Sequence, residues 1–336
     1  MKLLVVKLVT LLSLVVAGDI VSYDGYKVYR LIVTTSAEID LLSELRNDQR
    51  IDFWSRHRIP NVPVDAMVPP DAQTEFETLL KINAITYEVI INNFEETEII
   101  GRSFERRNIT LVTISSGGSN KPTIFADAGI HAREWIAPSM ALYIINQLVE
   151  NATNAHLYAN VDWVLIPVAN PDGYEFTHSN TRMWRKTRST ATICYGADPN
   201  RNFGYHWGES GSSTWQCDDI FAGRHAFSEV ETQAIRNYLA IHSHHIKLYV
   251  AIHSHVNGTN YTVGNSAELL YTSAGCSDDY AKSVGIELSY TIELPGGGTS
   301  GFDLPPEDIL STVEETWEGF KAYHQYVENK FVNLTN

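Results

Sequence analysis

The sequence predicts an α/β protein in which a small α+β domain precedes a larger sheet with helices packed over it. Over residues 24–92, strand-like and helix-like segments follow the order β-α-β-β-α-β, the split βαβ arrangement. From Ile99 onward, apolar strand-like runs alternate with segments of helical periodicity, which is typical of an α/β sheet. The length of 336 residues suits one large domain plus a small one.

The small domain contains four predicted strands and two predicted helices. The strands alternate apolar and polar residues, and the helices repeat apolar residues at helical spacing. The strands are Tyr26–Val33, Ile51–Trp54, Val64–Val68 and Tyr87–Ile91, and the helices are Ala37–Leu45 and Asp71–Ile85. Pro69 and Pro70 mark the start of the second helix. This unit carries no clustered catalytic residues.

The large domain contains five predicted strands and three predicted helices. The strands are Ile109–Ser115, Thr123–Ala128, Val161–Val168, Lys247–His253 and Leu288–Leu294. The helices are Ala137–Glu150, Ser228–His242 and Pro306–Val332. Ser228, with Glu231 three residues later, predicts a capping box at the start of the second of these helices.

The first 17 residues have the features of a secretory signal. Lys2 and Lys7 precede an apolar run that ends at Val16, and cleavage is expected near Ala17. The run is too short to span a membrane, and a buried N-terminal strand is the alternative. We therefore expect a secreted, extracellular protein.

The cysteines and sequons fit an oxidising compartment. Of the three cysteines, Cys194 and Cys217 flank a loop-rich stretch and are expected to pair, leaving Cys276 free, although sequence alone does not fix connectivity. Asn-x-Ser/Thr sequons stand at Asn108, Asn151, Asn257, Asn260 and Asn333. The net charge of −15 argues against nucleic acid as a partner.

The segment from His131 to Glu134 carries the main chemical signal. His-x-x-Glu spacing alone is weak evidence, but here it lies between a predicted strand and a predicted helix, where α/β proteins place ligands. His253 and Glu293 lie far downstream on two other apolar runs. Two imidazoles and one carboxylate, with a spare carboxylate as base, form the ligand set of a catalytic zinc site with one open position.

These residues and their neighbours resemble the zinc metallocarboxypeptidases of the pancreatic A/B type. The resemblance covers about Ile99 to Val332. The matching motifs are Ala128-Gly-Ile-His-Ala-Arg-Glu-Trp135, Asn170-Pro-Asp-Gly173, Trp184-Arg-Lys-Thr-Arg188, Asp198-Pro-Asn-Arg-Asn202, Ile252-His-Ser254, Tyr271, Ser277-Asp-Asp279 and Glu293-Leu294. The resemblance implies a mixed twisted sheet with helices on both faces. It also implies a signal peptide over 1–17, an activation prodomain over 18–95 and a catalytic domain over 96–336.

The resemblance implies a role for each residue near the metal. His131, Glu134 and His253 would bind one Zn²⁺ ion, and Asp198 would orient the first histidine. Glu293 would be the general base, and Arg185 would stabilise the oxyanion.

A second set of residues would recognise the substrate. Asn200 and Arg201 would bind the terminal carboxylate, Tyr271 would close over the substrate, and Arg133 would contact it further from the scissile bond. Asp278, with Ser266 lining the same pocket, would select C-terminal Lys or Arg, as in the B type. The alternative is that the match to the family motif is shifted by one residue, which would put Asp278 outside the pocket. His255 is expected to be a bystander.

The chain departs from the family pattern in two places. Only residues 92–99 separate the last prodomain strand from the matched region. The connecting segment and the first catalytic helix that the family has at this point are not visible in the sequence. Removal of the prodomain is therefore in doubt. Only 17 residues separate His253 from Tyr271, too few for the strand, loop and helix expected there. Missing coding segments are our hypothesis for both gaps.

Together these observations predict a secreted zinc carboxypeptidase zymogen that removes single C-terminal residues, preferably Lys or Arg. The expected partners are peptide or protein C-termini, the chain's own prodomain and an activating endoprotease, with no nucleic acid or membrane. One alternative is a catalytically impaired member that binds peptides or proteins, and another is an A-type enzyme preferring apolar ends. A serine hydrolase is disfavoured because no Gly-x-Ser-x-Gly motif is present.

Overall fold

The computed structural model describes residues 26–46, 48, 50–53, 60–91, 96–256 and 261–332. The predicted signal peptide and the sequons at Asn257, Asn260 and Asn333 lie outside these ranges. Within them, every helix is too short or too polar to cross a membrane.

The small domain has the predicted order of elements. These are β1 (Lys27–Ile32), α1 (Ser36–Leu45), β2 (Asp52–Phe53), β3 (Val64–Val68), α2 (Pro70–Ile82) and β4 (Thr86–Ile91). They form an antiparallel sheet in the order β2-β3-β1-β4. Its core contains Tyr29, Leu31, Phe76 and Leu80, which are almost fully buried. The helix α2 ends earlier than predicted, since Ala84 adopts a φ of 54° that no helix continues.

The large domain is built on a six-stranded mixed sheet. Its strands are β5 (Glu96–Arg102), β6 (Asn108–Ile114), β7 (Thr123–Ala128), β8 (Asp162–Ile166), β9 (Ile246–Val256) and β10 (Leu288–Pro295). The sheet order is β10-β9-β7-β8-β6-β5. Only β6 runs against the others. The carboxyl ends of the three neighbours β7, β9 and β10 therefore lie at the same edge of the sheet.

Helices cover both faces of this sheet. The α-helices in the described part of the large domain are α3 (Ile136–Val149), α4 (Pro171–Ser179), α5 (Val230–His242), α6 (Ser266–Leu269), α7 (Ser277–Ser283) and α8 (Pro306–Phe331). The helices α3 and α8 pack on one face around Trp163 and Phe320, and α5 and α7 pack on the other around Phe125 and Tyr249. All six residues of β7 are buried because both faces are covered.

Four short elements were not predicted, and one helix start was wrong. The strand β5 and the helices α4, α6 and α7 lie in segments without a clear apolar period. The predicted capping box at Ser228 does not form. The N-cap is Glu229, and its carboxylate accepts hydrogen bonds from Thr187 Oγ1 (2.5 Å), Ser189 Oγ (2.6 Å) and Ser228 Oγ (2.8 Å). Glu229 therefore replaces Ser228 as the N-cap, and α5 starts two residues later.

A disulfide joins Cys194 and Cys217, the pair named from the sequence. Cys276 is a free, buried thiol. Its Sγ lies 3.2 Å from Ser273 Oγ, and burial raises the pKa of this thiol to about 11. Cys276 is therefore a packed, protonated side chain at physiological pH.

Candidate metal centre and substrate cleft

Three neighbouring segments bring the predicted metal ligands together. His131 follows the end of β7 by three residues, Glu134 lies just before α3, and His253 belongs to β9, the neighbour of β7. Gly129 makes the turn after β7 with a φ of 64°, and a Cβ there would stand 3.1 Å from Pro138 Cγ. The turn therefore requires glycine.

The donor atoms of these three residues converge on one point. His131 Nδ1 is 2.7 Å from Glu134 Oε1, and His253 Nδ1 is 3.0 Å from Glu134 Oε2. The two Nδ1 atoms are 3.1 Å apart. All three side chains are buried, with at most 4% exposed. This is one of two clusters of possible ligands in the described part of the chain, the other being Cys276, Asp278 and Asp279.

The protonation of these donors fits a metal ion between them. Burial and the charge of Arg185 lower the pKa of His131, so its ring is neutral. Burial alone would raise the pKa of Glu134, but the charges of His131 and His253 outweigh it, and the acid stays ionised. Burial would likewise lower the pKa of His253, but Glu134 raises it to about 9. His253 therefore carries an extra proton at neutral pH, and this positive charge takes the place that a metal cation would have beside Glu134.

The tautomer of His131 and the spacing also suit zinc. Asp198 Oδ1 lies 3.0 Å from His131 Nε2, so this nitrogen carries the proton and Nδ1 presents a lone pair. In a tetrahedral zinc site, with bonds of about 2.0–2.2 Å, neighbouring ligand atoms are about 3.3–3.6 Å apart. The observed spacings of 2.7–3.1 Å are shorter, so the donors would move apart by roughly half an ångström to hold the ion.

Asp198 also holds the arginine of the site. Its Oδ2 accepts from Arg185 Nε at 2.9 Å and from Nη2 at 2.8 Å, so one carboxylate oxygen pairs with two guanidinium nitrogens. Burial would raise the pKa of Asp198, but Arg185 and His131 hold it well below its usual range. Arg185 Nη1 remains 3.8 Å from Glu134 Oε1, beside the metal centre. One buried carboxylate thus orients both His131 and Arg185.

Glu293 lies directly beside the centre because β10 pairs with β9. The parallel register sets Glu293 against His253. Its Oε2 is buried and has no hydrogen-bond partner among the described residues. Burial raises its pKa to about 7, and the charges of Glu134 and Asp278 add to this. The group is therefore poised to take or give a proton near neutral pH.

Asn200, Arg201 and Tyr271 lie on the next side of the cleft. Asn200 Nδ2 is 3.4 Å from His253 Nε2, and its Oδ1 accepts from Ser277 N at 2.9 Å. Arg201 is buried and donates to Gly211 O (2.8 Å) and Asn200 O (2.7 Å). Its Cζ is 5.9 Å from the ring of Tyr271, which is 54% exposed.

The two residues predicted for the side-chain pocket differ in position. Asp278 lies in the first turn of α7, is half-buried, and its charge raises the pKa of both Glu293 and Asp127. Ser266 instead starts α6, in which every residue is exposed, so it is not part of a buried pocket wall.

Arg133 lies at the rim of the cleft. Its Nη1 donates to Asp219 Oδ2 at 2.9 Å and Met183 O at 3.3 Å, and its Cζ lies 4.4 Å from the Phe302 ring centre. His255, expected to be a bystander, lies 5.4 Å from the same ring and is exposed.

Sequence reasoning missed the bridging role of Arg182. It donates to Arg133 O at 2.8 Å and to Phe302 O at 2.6 Å, and its Cζ is 3.8 Å from the Trp135 ring centre. Arg182 therefore forms hydrogen bonds both to the turn that carries the metal ligands, at Arg133, and to the loop after β10, at Phe302. Within the sequence, Arg182 was only one of several basic residues near Arg185, and no local signal distinguished it.

The comparisons with known proteins agree with this geometry. A family model described as zinc carboxypeptidase matches residues 91–257 and 253–319, and one described as carboxypeptidase activation peptide matches residues 29–98. The chain belongs to the zinc carboxypeptidase family. It is a metallocarboxypeptidase, a hydrolase whose cofactor is zinc, and its N-terminal domain is a prodomain.

Similar proteins are named carboxypeptidase B or carboxypeptidase A. Carboxypeptidase B of Helicoverpa zea is 35% identical, with 93% of this chain and 96% of that protein covered. Human carboxypeptidase B is 32% identical, with 97% and 99% covered. The crystal structure of carboxypeptidase A from Helicoverpa armigera matches with a TM-score of 0.67 and 29% identity, covering 92% of this chain and 99% of that one.

The alignment length shows that this chain lacks some positions of its relatives. The alignment to the Helicoverpa zea protein runs over 412 positions, although this chain has only 336 residues. Some positions of that zinc carboxypeptidase therefore have no counterpart here. The family model matches in two pieces that meet at 253–257, and the prodomain match overlaps the start of the first piece. These are the two places where the sequence lacks expected elements.

Proposed function

We propose that this zinc carboxypeptidase is secreted and removes single C-terminal residues from peptides and proteins, with a preference for Lys and Arg. The observation that carries the proposal is the position of Glu293. Its buried, unpartnered carboxylate oxygen lies beside His253, and burial raises its pKa to about 7. A base placed next to a metal centre in this way suits proton transfer during hydrolysis.

The metal centre and Glu293 would have different roles in the hydrolysis. His131, Glu134 and His253 would hold zinc, which when bound polarises a carbonyl and makes water more acidic. Glu293 accepts the proton of the attacking water and delivers it to the departing amine. The unpartnered Oε2 supports this role, because no neighbouring donor in the described part of the chain competes for it.

Arg185 stabilises the negative charge that develops on the scissile carbonyl oxygen. Two of its nitrogens are held by Asp198, and Nη1 stays beside the metal centre. A guanidinium fixed in advance costs no reorganisation during the reaction.

Arg201, Asn200 and Tyr271 recognise the free C-terminal carboxylate, which makes the enzyme an exopeptidase. Arg201 and Asn200 are buried, and Tyr271 lies next to Arg201 on the exposed side. Arg133, at the rim, contacts the substrate further from its C-terminus. The hydrogen bonds described above for Arg201 go to backbone oxygens and not to a carboxylate. Arg201 can therefore pair with a substrate carboxylate that enters the cleft.

Asp278 supplies the preference for a basic C-terminal side chain. Its charge acts on Glu293 and Asp127, which supports a position at the inner end of the cleft. A cationic side chain would be paired there, and an apolar one would leave the carboxylate without a partner.

Secretion is supported by the N-terminal sequence and by the disulfide. Residues 1–17 have the pattern of a signal peptide. The disulfide between Cys194 and Cys217 fits an oxidising compartment. The sequon at Asn108 is exposed at the start of β6, and Asn151 is half-buried next to Thr153.

The test is a release assay on the secreted, zinc-loaded protein. Peptides that end in Arg, Lys, Leu or Phe would be compared, with and without a zinc chelator, and Glu293→Gln would serve as the inactive control. We expect release of Arg and Lys, loss with chelator, and little release by the variant. Faster release of Leu or Phe would contradict the role of Asp278. No release before or after trypsin treatment would contradict the whole proposal.

A further inference from the structure

Asp127 is a buried carboxylate that the proposed chemistry does not use. It lies near the end of β7, and its Oδ1 accepts a hydrogen bond from the hydroxyl of Tyr249. Burial and the charge of Asp127 raise the pKa of Tyr249 well above its usual range, so this hydroxyl keeps its proton and donates. The other oxygen of Asp127, Oδ2, is buried and has no hydrogen-bond partner among the described residues. Because a buried carboxylate oxygen without a donor costs free energy, we expect a donor for Oδ2.

The pairing of β7 with β9 places Asp127 next to His253. Register sets Asp127 against Ala251, and His253 follows two residues later on the same face of the sheet. A strand spacing of about 4.8 Å and a rise of about 3.3 Å per residue put the Cα atoms of Asp127 and His253 roughly 8 Å apart. Ala251 presents only a methyl group, so the two longer side chains can approach each other over it. Burial raises the pKa of Asp127 to about 6, and the hydrogen bond from Tyr249 and the charge of His253 act against this rise.

His253 needs an acceptor on the side of its ring that faces away from the metal centre. Its Nδ1 lies 3.0 Å from Glu134 Oε2 and would bind zinc, so the ring proton of the loaded protein is on Nε2. Nε2 is 3.4 Å from Asn200 Nδ2. The backbone N–H of Ser277 donates to Asn200 Oδ1 at 2.9 Å, which fixes the amide so that Nδ2 is also a donor. Two donors cannot form a hydrogen bond, and Asn200 therefore does not satisfy the Nε2 proton.

The two histidines of the centre differ in this respect. Asp198 Oδ1 lies 3.0 Å from His131 Nε2 and fixes that ring. Metal-binding histidines generally donate their second ring proton to a carboxylate, a backbone carbonyl or water. The Nε2 proton of His253 has no acceptor among the contacts described above, and Asp127 Oδ2 has no donor. Each of these groups can therefore supply what the other lacks.

We propose that Asp127 is the positioning residue of His253 and holds its Nε2 proton through one bridging water molecule. Oδ2 makes no direct hydrogen bond to His253, and a water between them would donate to Oδ2 and accept from Nε2. Tyr249 holds the carboxylate through its other oxygen. Asp127 thus orients the second histidine of the centre, as Asp198 orients the first. The inference rests on the ligand role of His253 in the proposed function, and not on the substrate preference.

Zinc affinity tests the inference on the full-length chain. Asp127→Asn should weaken zinc binding about 10- to 100-fold in competition with a fluorescent chelator, because His253 loses its charged partner. Glu231→Gln is the matched control, since Glu231 Oε2 is likewise buried and unpartnered among the described residues but lies in the first turn of α5. The control should keep a Kd within about twofold of the wild-type value, because Glu231 is no partner of a ligand. Wild-type affinity in Asp127→Asn would overturn the inference.

Nuclear magnetic resonance separates positioning from a loss of packing. In the zinc-loaded protein with isotope-labelled histidine, the Nε2 protons of His131 and His253 give separate signals, and Asp198→Asn identifies that of His131. We expect Asp127→Asn to shift the His253 signal upfield, because its hydrogen bond weakens, and to leave the His131 signal in place. Movement of both signals, or of neither, would contradict a positioning role for Asp127.

Tyr249→Phe tests the same link while keeping the ring and its packing against Phe125. It removes the donor to Asp127 Oδ1, and zinc binding should weaken about threefold or more, the effect of one hydrogen bond. If Asp127→Asn does not fold, this variant takes its place, and an unchanged Kd with an unmoved His253 signal would refute the inference. Zinc retained by His253→Ala would instead contradict the ligand set of the proposed function, and the inference with it.

Discussion

Two walls of the cleft differ in how firmly they are held. The closed wall consists of His131, Glu134, Arg185 and Asp198, each at most 8% exposed and joined to one another by short polar contacts. The open wall consists of residues 261–271, and every one of them is exposed. His131 and Glu134 of the closed wall follow the buried strand β7, and Asp198 fixes Arg185 beside them, whereas the open wall belongs to the segment after His253.

This difference separates the chemistry of the enzyme from its selectivity. The groups that would bind zinc and stabilise charge are fixed by neighbours that cannot move without leaving a buried charge unpaired. The groups that would enclose the substrate side chain have few such constraints. We therefore expect substitutions in and beside the closed wall to have large effects and substitutions facing the open wall to have small ones.

The largest effect is expected for Glu134→Ala. It removes a ligand and leaves His131 and His253 without the carboxylate between them. Zinc content, measured by elemental analysis after dialysis, should fall from about one ion per chain to near zero. The control is His255→Ala, an exposed neighbour on the strand of His253, which should keep its zinc. Zinc retained by Glu134→Ala would show that the ligands lie elsewhere.

Glu293→Gln should keep zinc but lose kcat/KM on the order of 10²- to 10⁴-fold, because the base is gone. The wild-type enzyme should lose kcat/KM as pH falls through the pKa of Glu293, since only the ionised carboxylate accepts a proton. Burial raises this pKa to about 7, and the zinc charge lowers it, so the acid limb should lie at or below about 7. The limb should be absent from the residual rate of the variant. An unchanged limb would assign it to another group.

Asp198→Asn should weaken zinc binding about 10- to 100-fold, because His131 loses the carboxylate that fixes its tautomer. Competition with a fluorescent chelator measures this change. Asp219→Asn is the matched control, since Asp219 is exposed and pairs with Arg133 at the rim. Equal losses in the two variants would show that the buried position of Asp198 is irrelevant.

Asp278→Asn should reduce the preference for C-terminal Arg over Leu by about tenfold, or about 1.4 kcal/mol. The effect is modest because the neighbouring open wall does not seal the pocket from water, and water screens the charge. The ratio of kcat/KM on two peptides that differ only in the last residue provides the measurement. Asp279→Asn, at the adjacent exposed position, should leave the ratio unchanged.

The smallest effect is expected for Tyr271→Phe. Its ring is 54% exposed, so loss of the hydroxyl should raise KM less than about threefold and leave zinc content unchanged. A tenfold rise in KM would show that the open wall closes over substrate more tightly than the exposed arrangement indicates.

Much of the fold could be predicted because its strands and helices are long and strongly periodic. The strand Thr123–Ala128 has the predicted bounds, and α3, α5 and α8 differ from prediction by at most two residues. β5 was missed because, as the edge strand, it is only partly covered and lacks a clear alternation. The capping box at Ser228 was wrong, since the carboxylate of Glu229 took the hydroxyl of Ser228 as a partner.

The sequence alone determined the types and order of the chemical groups. Local spacing and resemblance suffice to name His131, Glu134, His253 and Glu293, because the turn after a buried strand and the run of a strand are short-range features. The tertiary structure decided how these groups act on one another. His131 and His253 are separated by 122 positions, and only the pairing of β7, β9 and β10 sets their distances and the burial that raises the pKa of Glu293.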